Sequence, residues 1–506
     1  MSSSRDVVDT VRFLHRGITS SHVKNYLQDL GSRETHATAG DFIALTILSI
    51  PPEILALIFQ CGKNMSDEIP FSSSIGEQER RVHSFEIIMS QTCSRFREVT
   101  LATPRLWSTI YVDATRRIDH IAQDVARSGG CGLDIRIDLG VQDPQMNDQN
   151  LEAMLALIIS HSRRWRSLSI AYSRECVNFP VVGRLCNSAA PSLQQLSITV
   201  DDVDRADATM VNAKDVNTPC IFKDGTPRLT FVRLRGMALT FYRPQLNFVA
   251  TLHLDHTRKS LLLPYSTFYD IVTCSPFLEN LSLHGDIIAP STWPEGNKHI
   301  HLPNLRSLRI CGEAGHIYPR MLMGIQAFNL ESLTLKDMKN PDLDPLWNTA
   351  DASWYARLKR LTFIDFDLSI PKYESAFQTF QNITTISALK SSISESPLIY
   401  LLSEGRLGGP NGQYIPWPRL ETLVFSYDTY GSDEASIEKV VKARREQGYP
   451  LSRIRLGMDY DDYEEMEAEP PQTIDVGDDI EIELFWHSEV WPENRTYFDH
   501  DDGLFC

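Results

Sequence analysis

Leu278-Glu279-Asn280-Leu281-Ser282-Leu283-His284 holds the pattern on which the fold turns. Leu281 and Leu283 stand two apart, so on a strand they point to the same side while Ser282 points to the other. Leu278, three residues earlier, leads into the strand. The phrase L-x-x-L-x-L recurs along the chain with apolar substitutions. Upstream it reads Trp165/Leu168/Ile170, Leu193/Leu196/Ile198, Leu229/Val232/Leu234 and Val249/Leu252/Leu254. Downstream it reads Leu305/Leu308/Ile310, Leu330/Leu333/Leu335, Leu358/Leu361/Phe363, Leu420/Leu423/Phe425 and Leu451/Ile454/Leu456, with Ile383/Ile386 as a degraded copy.

Between the phrases lie stretches with helical patterning: 151–162, 267–274, 320–328, 374–380 and 435–447. Pro191, Pro227, Pro276, Pro303 and Pro418 precede phrases, where proline stops a helix and starts an extended segment. A unit of one short strand and one return cannot bury its apolar side alone. Neighbouring units must stack and share a core, which predicts a solenoid. An ordinary parallel α/β domain is the alternative, but its strands would be near-continuous apolar runs rather than alternating ones.

On these phrases the region 111–458 resembles an irregular leucine-rich-repeat array, which implies parallel strands on a concave face and helices or loops outside. Regular repeats of that family carry Asn or Cys three residues after the last leucine. Here those positions hold Asp286, Glu313, Met338 and Phe366, so no continuous side-chain ladder is expected. The alternating stretch 132–139 is expected to start the sheet and 480–486 to close it as a capping strand, because a bare solenoid end exposes core.

A second region has a different texture. Ile50-Pro51-Pro52-Glu53-Ile54-Leu55-Ala56-Leu57-Ile58-Phe59 places two prolines where a helix begins and is then apolar on nearly every side. A helix of that kind has two surfaces to bury. Residues 84–101, SFEIIMSQTCSRFREVTL, carry a second helical pattern in Phe85, Ile88, Met89, Cys93, Phe96 and Val99. Thr103-Pro104-Arg105-Leu106-Trp107 follows.

At PPEILALIF, CSRFRE and TPRLW the chain resembles the F-box family, most closely its large fungal (basidiomycete-like) set, over roughly residues 48–110. The resemblance implies an all-α helical module that docks on a Skp-type adaptor. It also implies a role as substrate-recognition subunit of a Skp adaptor–cullin–RING E3 ubiquitin ligase, in the ubiquitin-like conjugation pathway. Carried onto this chain, the adaptor-facing residues would be Ile50, Pro51, Pro52, Ile54, Leu55, Ile58 and Phe59, with Cys93, Phe96, Leu106 and Trp107 supporting or completing the surface. Plain core packing is the competing reading for each, weakest for Pro51 and Pro52. The polar segment 62–83 between the two helical patterns reads as an insert where the family has a short link.

The fold class is therefore α/β, a small all-α module followed by a leucine-rich-repeat-like solenoid. Residues 1–47 form an N-terminal segment, partly helical or disordered, and residues 459–506 an acidic C-terminal segment. That last segment holds 17 Asp/Glu against Arg495 and carries nearly all of the net charge of −17. An acidic balance argues against general nucleic-acid binding. No apolar run approaches a membrane span, and no secretory signal follows Met1–Asp6. The nine scattered cysteines, with no C-x-x-C pair, read as free thiols of a reducing compartment, cytoplasmic and/or nuclear.

Phosphate-loop, dinucleotide-binding, H-E-x-x-H and G-x-S-x-G motifs are missing from the sequence. The glycine-rich run 405–412 reads as an inter-repeat loop, and His299/His301 and 499–502 read as exposed polar groups rather than metal ligands. No cofactor, no catalytic residue, no nucleic acid and no membrane partner is expected. On the outward side of the phrases, Arg233, Arg235, His253, His284, Arg309, Lys336, Arg360, Arg453 and Arg455 form a candidate basic strip for an acidic target protein, with Asp255 as an exception. An ordinary solvated face, which needs no such explanation, is the preferred reading of them. A repeat scaffold for protein–protein interaction outside any ubiquitin ligase is the alternative function.

Overall fold

The computed structural model describes residues 47–68, 84–113, 116–138, 148–172, 184–200, 221–236, 238–256, 262–285, 287–294, 299–312, 318–337, 343–344, 352–365, 369–389, 396–404, 407–409, 412–426, 433–458 and 479–486. The chain divides into two compact units, Met1–Ile110 with Asp119–Cys131, and Tyr111–Ile118 with Gly132–Cys506.

The first unit is helical. A 3-10 turn at Ile47–Ser49 leads to α1 (Pro52–Glu68), α2 (Phe85–Thr92), α3 (Ser94–Leu101), a 3-10 turn at Pro104–Trp107 and α4 (Ile118–Arg127), which falls here from Asp119 onward. Helix α1 starts at its proline, and the amides of Ile54 and Leu55 both reach the Pro51 carbonyl, at 3.1 and 3.0 Å. It then runs past the expected end: residues 62–68 of the supposed insert are helix, and 69–83 lie outside the described residues. The helix continues because Lys63 is buried and its ammonium meets the buried Glu86 carboxylate on α2 at 3.0 Å, which ties the two helices together.

Residues 84–101 are not one helix. The chain breaks at Cys93, whose backbone is extended (φ −157°, ψ 169°), and the Cys93 sulfur caps α3 by accepting from the Phe96 amide at 3.4 Å. Leu55, Phe59, Phe85, Met89, Phe96, Val99, Leu106 and Trp107 form the core of this unit, with Phe59 and Phe96 edge-to-face at 4.9 Å. Trp107 is locked in place. Its indole N–H donates to the Thr100 carbonyl at 2.9 Å, and the Arg127 guanidinium lies 4.3 Å from its ring.

The second unit is a stack of strand-and-return repeats. Strand β1 (Thr109–Asp113) carries the chain into it. There follow β2 (Leu133–Asp138), α5 (Asp148–Ile159), β3 (Trp165–Tyr172), β4 (Gln195–Val200), β5 (Phe231–Gly236), α6 (Ala238–Phe241), β6 (Thr251–Asp255), α7 (Tyr265–Thr273) and β7 (Asn280–His284). The middle of the unit holds β8 (Ile300–His301), β9 (Ser307–Cys311), α8 (Tyr318–Gly324), β10 (Ile325–Gln326), β11 (Ser332–Lys336), β12 (Arg360–Ile364), α9 (Ile370–Thr379) and β13 (Thr385–Leu389). Its end holds α10 (Pro397–Glu404), β14 (Leu407–Gly409), β15 (Gly412–Tyr414), β16 (Thr422–Ser426), α11 (Asp433–Glu446), β17 (Arg453–Met458) and β18 (Glu481–Trp486).

The main sheet of the described residues has 14 strands in chain order, β1-β2-β3-β4-β5-β6-β7-β9-β11-β12-β13-β16-β17-β18, and from β2 to β18 neighbours pair parallel. The sheet begins one strand before the expected start and ends on the strand read as its cap. The phrase register is kept throughout: Leu281 faces Leu308, Leu333, Leu361, Ile386, Leu423 and Ile454 in turn. The degraded copy is a full repeat, β13, in which Ala388 sits between the larger Phe363 and Phe425 so that the column stays filled. The glycine-rich run is a small antiparallel pair, β14 with β15, rather than a plain loop.

Eight repeats open with the same turn. The amides of Leu193, Leu229, Val249, Leu278, Leu305, Leu330, Leu358 and Leu420 reach the carbonyl three residues back at 3.0–3.2 Å. Pro191, Pro227, Pro276, Pro303 and Pro418 occupy the second residue of that turn, where a φ fixed near −65° is required, so they shape a turn directly as well as ending helices. Asn304, Asn329 and Asn382 bridge successive turns by donating to the carbonyls of Pro276, Pro303 and Ala356 at 2.8, 2.7 and 2.9 Å.

At the other end of the strands the backbone turns through left-handed residues: Gly236, Gly285, Asp337 and Asp365 have φ of 62°, 75°, 54° and 50°. From there Gly285, Asp337 and Asp365 donate to the next repeat, to the carbonyls of Cys311, Ile364 and Leu389. Backbone bonds thus continue the stack at corners where regular repeats use a side-chain ladder. Asp286, Glu313, Met338 and Phe366 lie outside the described residues.

Candidate docking surface

Helix α1 sorts its apolar residues onto two sides. Leu55 and Phe59, four apart, are buried in the core of the first unit, and Ala56 lies beside them. Ile54, Leu57 and Cys61 fall on the opposite side, joined by three- and four-residue spacings, while Ile58 lies between the two sides, packed against the core with part of its side chain exposed. Leu57 is 56% exposed. Cys61 is exposed, Ile54 and Ile58 are half-exposed, and Pro51 and Pro52 extend the patch past the start of the helix, both exposed.

The expected adaptor-facing set therefore divides. Pro51, Pro52, Ile54 and Ile58, with half-buried Ile50, reach the surface. Leu55, Phe59, Phe96, Leu106 and Trp107 build the core beneath, and Cys93 caps α3. These six shape the surface without being part of it. Leu57 and Cys61 belong to the outer stripe and were not among the expected residues. Projecting the run Ile54–Cys61 onto a helix at 100° per residue separates Leu57 and Cys61 from Leu55 and Phe59, and that was the signal available.

Residues 33–126 match the model of the F-box-like domain. No curated protein matches the chain. The F-box-like domain supports a role as an F-box adaptor in Skp–cullin–F-box ligases, and it implies a Skp-type adaptor as partner. Its match starts before the helical turn at Ile47 and ends within α4, beyond the boundary at 110 drawn from the motifs. The inclusion of Asp119–Cys131 in the first unit agrees with that longer extent.

The nine cations expected to share one strip occupy three rows of the sheet and differ in depth. Arg233, Arg309 and Arg455 stand between the two leucine columns, as does His253. Arg235, His284 and Lys336 stand one row later, and Arg360 and Arg453 one row earlier. Arg233 is 2% and His253 1% exposed, so neither lies on a solvated face. The Arg233 guanidinium is 3.5 Å from the Asp255 carboxylate and 3.1 Å from His253 Nδ1. This is a buried charge cluster of Arg233, His253 and Asp255 that holds β5 to β6, not a target-facing patch. Lys336 is also buried. Arg235, His284, Arg309 and Arg455 are half-buried, and Arg360 and Arg453 are exposed.

The sequence did not single out Arg444 on α11, yet it is 1% exposed. Its guanidinium donates to the carbonyls of Pro416 at 2.7 Å, Trp417 at 3.0 Å and Tyr449 at 3.2 Å. Burial lowers its pKa to about 10, with Tyr449 pulling the other way, so it stays charged at neutral pH. It fastens the turn before β16, where Trp417 takes a positive φ of 42°.

His299 packs edge-on to Trp354 at 5.2 Å, and its Nδ1 lies 3.2 Å from the Met323 carbonyl oxygen. Among the described residues no group of three or more His, Cys, Asp or Glu is placed to hold a metal ion, and no helix is long and apolar enough to cross a membrane.

Proposed function

We propose that this chain is the substrate-recognition subunit of a Skp adaptor–cullin–RING E3 ubiquitin ligase, acting in the cytoplasm and/or nucleus. The observation that carries the reading is the apolar stripe Pro51, Pro52, Ile54, Leu57 and Cys61, turned outward on the first long helix of the F-box-like match, with half-buried Ile58 at its edge. An apolar patch on one side of a small helical module is suited to a groove in a helical partner. In this reading the stripe seats the Skp-type adaptor, and cullin and RING subunits join through it. The repeat unit holds the target protein, with exposed Arg360 and half-buried Arg235, His284 and Arg309 as contact residues. The chain itself performs no chemistry, because ubiquitin transfer takes place on other subunits.

Titration of the purified chain with a Skp-type adaptor tests the docking step. Leu57→Asp is expected to weaken adaptor binding at least tenfold, since it places a charge in the desolvated centre of the interface. Phe277→Asp, on an exposed residue of the repeat unit, should leave it unchanged. Equal affinity for both variants overturns the reading. Adaptor binding that never recruits cullin assigns the chain to the alternative, a repeat scaffold outside a ligase.

A further inference from the structure

The last strand of the sheet is attached unlike the others. β18 pairs with β17 over six positions, Arg453 with Glu481, Ile454 with Ile482, Arg455 with Glu483, Leu456 with Leu484, Gly457 with Phe485 and Met458 with Trp486. Both cations that β17 turns to the outer side meet an acid of β18. Arg453 reaches the Glu481 carboxylate at 2.8 and 2.9 Å, and Arg455 reaches both oxygens of Glu483 at 3.1 and 3.3 Å. Arg445, at the end of α11, lies 3.9 Å from Asp479. These pairs are largely solvated, so they choose a partner more than they hold it.

On the inner side the cover is uneven, for Ile480 just before the strand is buried. Ile482 is 39% exposed, whereas Ile454, its neighbour in the same column, is fully buried. Among the described residues β18 has a neighbour on one edge only. The stretch 459–478 before it carries nine Asp/Glu and no Lys, Arg or His. The helix in the interval before β17, α11, is by contrast basic in its last turn.

We propose that the edge of β17 covered by β18 is a docking slot for an extended acidic peptide with the pattern acid–apolar–acid–apolar, and that β18 is its resident occupant. A partner segment of that pattern would add to the sheet in parallel, take up Arg453 and Arg455, and displace residues 481–486. Main-chain hydrogen bonds supply affinity in such strand addition, and alternate side chains supply selectivity. The two arginines select acids at the first and third positions, and the Ile454–Leu456 column selects apolar residues at the second and fourth. The slot depends on β17 alone and stands whether or not the F-box-like domain serves a ligase.

The test uses the full chain and a fluorescent peptide of residues 478–486, DDIEIELFW. Charge reversal in Glu481→Arg/Glu483→Arg empties the slot, and this variant is expected to bind the peptide at least tenfold tighter than the unaltered chain. Adding Arg453→Glu/Arg455→Glu should abolish that binding, and raising the salt about tenfold, from roughly 0.05 to roughly 0.5 M, which shortens the screening length about threefold, should weaken it. Equal affinity of the peptide for the reversed and unaltered chains overturns the proposal, as does exchange of β18 between two copies, seen as a concentration-dependent dimer. Hydrogen exchange on the unaltered chain decides the matter even where the reversed variant fails to fold. The slot requires the amide of Glu481, which donates to the Ser452 carbonyl of β17, and that of Glu483, two residues on, to exchange at least tenfold faster than the Arg453 amide, which donates to Glu421 beside β16, and equal protection overturns it.

Discussion

In the first unit, Leu57 and two prolines face water while a basic side chain, Lys63, is buried against Glu86. In the second, Arg233 and Arg444 are almost wholly buried, amid a core of apolar residues that repeats from strand to strand. The two units solve the burial problem by different means. A single helix layer has one core side, so apolar residues beyond what that side accepts stay exposed and invite a partner. A stack of repeats has a core that lengthens with every unit. It can hold charged side chains wherever neighbouring repeats offer them carbonyls or acids.

The comparison breaks first at Trp107. It closes a core built from eight buried residues, so its loss is not shared among many neighbours. Trp107→Ala is expected to cost about 3–5 kcal/mol. Hydrogen exchange should show α1–α3 losing protection while β5–β13 keep theirs. Equal loss in both units would mean that they are not energetically separate.

Arg444 makes the opposite case, a polar group on which the repeat core depends. Arg444→Ala leaves the carbonyls of Pro416 and Trp417 without their donor beside a backbone in positive φ, at a cost of roughly 2–4 kcal/mol. Arg444→Lys should recover only part of this, because a single ammonium cannot reach carbonyls that a planar fork spans. Thermal melts of the three proteins check it, and full recovery by lysine would show that charge alone matters.

Gly285 sharpens the account of the corners. A Cβ there would stand 2.3 Å from the His256 carbonyl oxygen, on a backbone at φ +75° that L-residues rarely adopt. Gly285→Ala is expected to destabilise by roughly 1–3 kcal/mol. Asp365→Gly, at a corner of the same hand, should be neutral or slightly stabilising. Denaturant midpoints separate the two outcomes.

Much of this arrangement was legible beforehand. Leucines two apart specify one face of a strand, and their recurrence forces a stack, so the sheet and its register followed from the phrase. The helical module followed from PPEIL and TPRLW. Depth was less legible. Alternation says which side of β5 Arg233 leaves from, but not that Asp255 and His253 on the next strand enclose it. The break at Cys93 was hidden because apolar spacing continued across it. An extended residue resets helical phase without altering composition. The β13 repeat looked degraded because Ala388 is small, and its fit depends on Phe363 and Phe425, which lie far away in sequence.

The smallest expected effect on stability is also the sharpest test of the difference between the units. Leu57→Ala removes an exposed side chain of α1 that the fold does not use, and alanine favours helix at least as well as leucine. Stability should change by no more than about 0.5 kcal/mol, whereas Leu55→Ala, two residues away on the buried side, should cost about 2–5 kcal/mol. A melt in which Leu57→Ala proved as damaging as Leu55→Ala would mean that the outer stripe is covered by the chain itself. Near-native stability with weakened adaptor binding would leave docking as the reason for a leucine held in water.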